Sequence, residues 1–154
     1  MNKELYKIAK SYCNTPHING GNIKGVGLDC CTLITHILSD YYGLQIDVDF
    51  GYSGDWFCER DCKEIMLPYL ERYFVRVSHL RPGDIISYTW GRAHYAHLSM
   101  YLGNNLVVHC MADIGVEITE ITDPCFSVGN RDRISGVWRV RDELIQKTIN
   151  NKSC

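Results

Sequence analysis

"AHLSMYLGNNLVVHC", residues 96–110, carries two β-prone runs on either side of a Gly-Asn-Asn turn, the pattern of an antiparallel hairpin. A three-residue loop, Gly103-Asn104-Asn105, pairs Leu102 with Leu106 and Ser99 with His109. His97 then falls diagonally beside His109 on the same face, ~7–8 Å away at the backbone. A two-residue loop would send the two histidines to opposite faces. The other face of the first register carries Leu98, Met100, Leu102, Leu106, Val108 and Cys110. That unbroken apolar set favours the register with both histidines together.

Outward from this hairpin, "IISYTW" (85–90), "GVEITEI" (115–121) and "GVWRV" (136–140) are further short β-rich runs bounded by Gly, Asn or Pro. Upstream the period changes. Residues 3–13 place Leu5, Ile8 and Ala9 on one helical face, and "NTPHINGGNIKGVG" (14–27) is a loop. From Cys30, apolar or small residues recur at 30, 33, 34, 37, 38 and 41, with Thr35, Ser39 and Asp40 on the other side. "DVDFGYSGDWF" (47–57) reads as a loop, and "ERDCKEIMLPYLERYF" (59–74) as helical with Pro68 as a kink or boundary. Helices first and strands second predict an α+β fold, N-terminal helices packed on a mostly antiparallel five- to six-stranded sheet. One domain over 1–154 is expected, with the tail "KTINNKSC" frayed after about residue 148.

Composition excludes several classes. The 154 residues are 45% hydrophobic and 22% charged, and 16 Lys plus Arg face 18 Asp plus Glu. A formal charge of −2 offers no field for nucleic acid or an anionic membrane. No run approaches the ~18 apolar residues of a membrane span, and "MNKELYKIAKSYC" lacks the apolar stretch of a signal peptide. The chain is expected to be made in the cytoplasm. Eight cysteines without an export signal read mostly as free thiols. Cys58 and Cys62 are four apart, but no partner pair follows at a zinc-finger interval, so they read as small hydrophobes under a helix.

"GLDCCTLITHIL" (27–38) sets two thiols at a helix start. Asp29 is a good N-cap, which leaves Cys30 and Cys31 in the first turn, where unpaired N–H groups favour a thiolate. Cys30 begins the apolar stripe, and Cys31 lies about 100° round the helix, so Cys30 is expected at the end of the seam against the sheet. An adjacent Asp29 carboxylate opposes a thiolate, so a base is needed. Cys30 with His97 and His109 would make a nucleophilic triad, with satisfied structural histidines as the alternative. His94, in the turn "GRAH", is a rival base without an aligned partner. Tyr52, Trp56 and Phe57 either line a cleft or cover the core.

"NTPHINGGNIKGVGLDCCTLI", "RPGDIISY", "AHLSMYLGNN" and "LVVHC" together resemble, in order and in the spacing of the two histidines, the motifs of the NlpC-type cell-wall peptidases, which are papain-like. The match runs from about Tyr12 to Cys110. The resemblance implies Cys30 as nucleophile, His97 as general base and acid, and His109 as the residue that orients His97. It implies that the Cys30 N–H stabilises an oxyanion and that Asp29 holds the free amino end of a short stem peptide. The substrate implied is the peptide of bacterial peptidoglycan, often cut between D-γ-glutamate and a diamino acid. Departures fall at His17, where the family has Tyr near the oxyanion site; at Cys31 and Thr32, which replace Ser-Gly; and at Ser99, which replaces Gly. His17, Ser99 and Trp56 join Asp29 as candidate substrate-binding residues.

The expected activity is therefore that of a thiol peptidase or amidase acting through a thioester, without cofactor or metal. The missing signal peptide suggests carriage by a phage tail or virion, with tail proteins as partners. An acyltransferase on the same scaffold and a non-catalytic module of a tail or wall complex are the alternatives. A zinc hydrolase using His94, His97, His109 and Cys110 is weaker, because Cys110 faces away from His109 on a strand.

Overall fold

The computed structural model of the chain describes residues 1–48 and 55–152; Tyr52, Cys154 and most of the 47–57 loop therefore lie outside the described residues. Helix α1 (Lys3–Lys10) is capped by Asn2, whose side chain accepts from Leu5 N at 3.1 Å. It ends three residues earlier than the periodicity predicts, and residues 11–14 continue as turns. A two-residue pair, β1 (Asn22–Ile23) and β2 (Gly27–Leu28), leads into α2 (Cys30–Tyr42).

Helix α2 begins with a reciprocal cap: Thr32 N donates to Asp29 Oδ1 at 2.8 Å and Asp29 N to Thr32 Oγ1 at 2.9 Å. It stops at Gly43, left-handed at φ 73, whose N–H reaches Ser39 O. Leu33, Ile34, Ile37 and Leu38 are fully buried, and each such side chain contributes roughly 2 kcal/mol.

Residues 59–74 are not one helix. Turns follow the 3-10 segment Trp56–Cys58, and α3 is confined to Leu67–Tyr73, with Pro68 in its first turn. Proline's fixed φ suits a helix start, so Pro68 is the boundary and not a kink. Cys58 and Cys62 consequently share no helical face. The end of the predicted helix is extended: β3 (Phe74–Arg76) is an edge strand of the main sheet.

The sheet continues with β4 (Ile85–Trp90), β5 (Ala93–Gly103), β6 (Leu106–Met111) and β7 (Gly115–Glu120). After a 3-10 turn at Pro124–Phe126 and the short pair β8 (Ser127–Val128) and β9 (Arg131–Asp132), β10 (Ile134–Val140) inserts between β3 and β4. The order is β3-β10-β4-β5-β6-β7, antiparallel at every pairing. This is the expected α+β architecture, with six strands. The C-terminal segment forms α4 (Asp142–Lys152). Leu144 and Ile145 pack partly against the main core, which anchors its first turn.

The β5–β6 turn holds two residues, Asn104 (φ 54) and Asn105 (φ 61), and Gly103 pairs with Leu106. Leu102 and Leu106 therefore do not pair. A bulge between Tyr101 and Gly103 adds one residue to β5, and beyond it Ser99 pairs with His109. The loop length differs from the predicted one, yet the register at the histidines is as predicted. Leu98, Met100, Leu102, Val108 and Cys110 face the main core with α1 and α2, whereas Ile86, Tyr88, Val107 and Phe126 form a second cluster.

Asp84, only 2% exposed, ties the turn before β4 to β10 by accepting from Arg139 Nε and Nη2 at 2.7 Å each and from Arg81 N at 2.7 Å. Asp84→Ala leaves Arg81 N without its acceptor and strips the Arg139 guanidinium of two hydrogen bonds, keeping only that from Nη2 to His79 O, and the expected loss is about 1–3 kcal/mol. Urea unfolding measures it; a loss below about 1 kcal/mol would contradict the buried-pair account.

Candidate active site

The amino end of α2 opens onto a cleft of about 330 Å³. Asp29 and Cys30 border it from the helix, His17 and Asn19 from the preceding loop, and Asp55, Trp56 and Phe57 from the 3-10 segment. Met66 adds to the wall, and the sheet contributes Trp90, Ala96, His97, Cys110, Met111 and Ala112. Two close backbone approaches fix these walls. Gly91 is left-handed at φ 57, and a Cβ there would lie 2.6 Å from Phe57 O, which accepts from Arg92 N. Gly115, at φ 81, lies equally tight on Thr15 O, which accepts from Val116 N at 2.8 Å. The first contact seats Trp56 and Phe57; the second seats the loop that carries His17.

The adjacent thiols have different surroundings. Cys30 is 6% exposed and borders the cleft. Cys31 is fully buried, which the helical phase alone does not anticipate. The reason is α3, whose Tyr69 hydroxyl meets Thr35 Oγ1 at 3.3 Å, one turn beyond Cys31, and covers that side of α2. Contact with the Cys30 thiol, then burial, then the Cys30 and Asp29 charges hold the Cys31 thiol well above the ordinary range. Cys31 therefore keeps its proton. Cys110 also stays a thiol, pushed up to about 12 by burial, then by Cys30 and Asp29, and donates to Leu28 O at 3.2 Å.

His97, opposite Tyr88 in the sheet, places Nε2 at 3.2 Å from His109 Nδ1. His109 in turn places Nε2 at 3.2 Å from Glu117 Oε1 on β7. Phe126 covers this row, 5.0 Å from the His109 ring and stacked at 4.6 Å on Tyr88. Burial, then His109 and His17, hold His97 well below the usual imidazole range. Burial lowers His109 as well, against the opposing pull of Glu117. Among the described residues no hydrogen bond joins Cys30 to His97; they meet across the cleft.

The other sequence-derived candidates divide. Asp29, His17 and Trp56 border the cleft. Asp29 also bonds both ways into the scaffold, Oδ1 to Thr32 N and Oδ2 to Gly20 N at 3.0 Å. Ser99 does not border it: the side chain is fully buried and its Oγ meets Tyr88 OH at 2.8 Å. His94 is exposed, its N–H held by Glu64 at 2.7 Å. Among the described residues no three His, Cys, Asp or Glu side chains gather as a metal site. Glu117 and Phe126 are the members that sequence reasoning missed. Glu117 had a readable signal, since the turn after β6 sets it opposite His109.

The site thus sets a cysteine at a capped helix start across a cleft from a histidine of an antiparallel sheet. The chain belongs to the NlpC/P60 family, whose profile matches residues 14–130. Among solved structures it is similar to an NlpC/P60 family protein from Bacillus cereus, at 26% identity and a TM-score of 0.62 over 88% of this chain and 39% of that one. The NlpC/p60 domain of the peptidoglycan hydrolase SagA shares the fold at 17% identity and a TM-score of 0.55, covering 89% of this chain and 95% of that domain. So does the peptidoglycan hydrolase RipB from Mycobacterium tuberculosis, at 20% identity and a TM-score of 0.52, covering 89% and 63%. The chain thus spans well under half of the Bacillus cereus protein. No curated protein matches it.

The depressed histidines set a pH dependence of stability. Folded His97 and His109 bind protons less readily than an ordinary histidine at about 6.5. As pH falls below that value the unfolded chain takes up protons first, so stability is full above it and declines below it. The urea midpoint is expected to drop between pH 7.5 and 5.5, less steeply in His97→Asn; equal slopes would contradict the assignment.

Proposed function

We propose that the chain is a thiol-dependent peptidase or amidase that cuts stem peptides of bacterial peptidoglycan. The observation that carries this reading is the meeting of Cys30, at the capped start of α2, with His97 across one cleft. Membership in the NlpC/P60 family and the likeness to two structures named as peptidoglycan hydrolases support the substrate class.

In the proposed reaction the Cys30 sulfur attacks the peptide carbonyl while His97 takes the thiol proton. The backbone N–H of Cys30 stabilises the oxyanion. His97 returns the proton to the leaving amine as the C–N bond breaks, which leaves a thioester. Water then attacks the thioester with His97 as base, releasing the acid and regenerating the thiol. Apo thiol–imidazole geometry is commonly loose and tightens around substrate. Asp29 and Asp55 suit a peptide amine, while Trp56, Phe57 and Trp90 present apolar walls.

Digestion of purified peptidoglycan, with fragments identified by mass spectrometry, tests this. Cys30→Ala is expected to reduce release by at least about 10³-fold, whereas Cys31→Ser retains activity. Fragments that persist with Cys30→Ala would overturn the mechanism.

A further inference from the structure

We propose that Glu117 is a positioning residue that acts through His109 to fix the tautomer and orientation of His97. The inference rests on the reading of Cys30 and His97 given above, and it concerns a side chain that never touches the cleft. Three neighbouring strands bring the groups into a row: His97 on β5, His109 on β6 and, directly opposite His109, Glu117 on β7. The two links are 3.2 Å each.

The order of donors follows from chemistry. An ionised carboxylate only accepts, so the proton between Glu117 and His109 sits on His109 Nε2. A neutral imidazole carries one N–H, which makes His109 Nδ1 an acceptor. Its partner, His97 Nε2, must then donate, and the lone pair of His97 is left on Nδ1. Among the described residues no hydrogen bond engages that nitrogen. Glu117 thus selects, two rings away, the nitrogen that is free to take a thiol proton. When His97 does so, its Nε2–H bond to His109 persists and the proton later leaves from Nδ1 to the amine. Glu117 itself gains and loses no proton.

The surroundings leave this row the dominant polar contact of the histidines. His97 faces His109 and His17, with Cys30 and Asp29 across the cleft. His109 faces Glu117 and Asp123, with Cys125 beyond Glu117 and the apolar Phe126 ring as cover. The Glu117 side chain is 39% exposed, so water damps its charge and the hydrogen bond, more than the field, does the positioning.

The test compares wild type, Glu117→Ala and Glu117→Gln in two readouts that need no substrate. Nitrogen-15 shifts of the imidazoles report the tautomers. The rate of Cys30 alkylation by iodoacetamide, followed on the Cys30 peptide by mass spectrometry, reports delivery of the thiol proton to His97. Wild type is expected to show Nε2–H on both histidines. Glu117→Ala is expected to mix the His97 tautomers and slow alkylation at pH 7 by about tenfold or more. Glu117→Gln, whose amide oxygen accepts the same bond, is expected to keep the tautomers and stay within about threefold. Wild-type tautomers and rate in Glu117→Ala, or equal losses in both variants, would overturn the proposal. Inactivity of the wild type on peptidoglycan with these two readouts as expected would overturn only the substrate.

Discussion

The bulge at Leu102 couples a two-residue turn to a register that such a turn would not produce by itself. Without the extra residue, His97 and His109 would lie on opposite faces, and the apolar set of β5 and β6 would be split between core and site. With it, Leu98, Met100, Val108 and Cys110 meet the helices while both histidines share the other face. The left-handed Asn104 and Asn105 permit the tight turn, since asparagine tolerates that conformation. One local irregularity therefore serves the core and the chemistry together.

Asp29 is the corresponding constraint on the helical side. Its carboxylate closes the amino end of α2 and holds Gly20 of the preceding loop, while its position borders the cleft. The cap that begins the helix thus also sets where Cys30 stands. Two other walls of the cleft, the His17 loop and the Trp56–Phe57 segment, are seated by glycines whose missing Cβ lets another backbone approach.

Much of this was readable from periodicity and local chemistry. The apolar stripe from Cys30 to Tyr41, the Asp29 cap and the alternation through residues 96–110 each rest on contacts between near neighbours, and each matches the structure. Pro68 was legible only as kink or boundary, because the β3 edge strand that follows α3 is held by β10, more than sixty residues later. The start of α4 depends on distant contacts in a similar way: Leu144 and Ile145 count as apolar anchors only once a core exists beside them.

The amino-acid sequence by itself determined the α+β order of elements, the thiol at the helix start and the parity of the two histidines, since these follow from short-range periods of two and 3.6 residues. Tertiary structure decided which thiol is open and which is sealed, because Tyr69 of α3 closes over the Cys31 side of α2. It also withdrew Ser99 from the cleft by pairing it with Tyr88, and extended the histidine pair to Glu117. Those outcomes depend on which surfaces pack together, a long-range property that no local period contains.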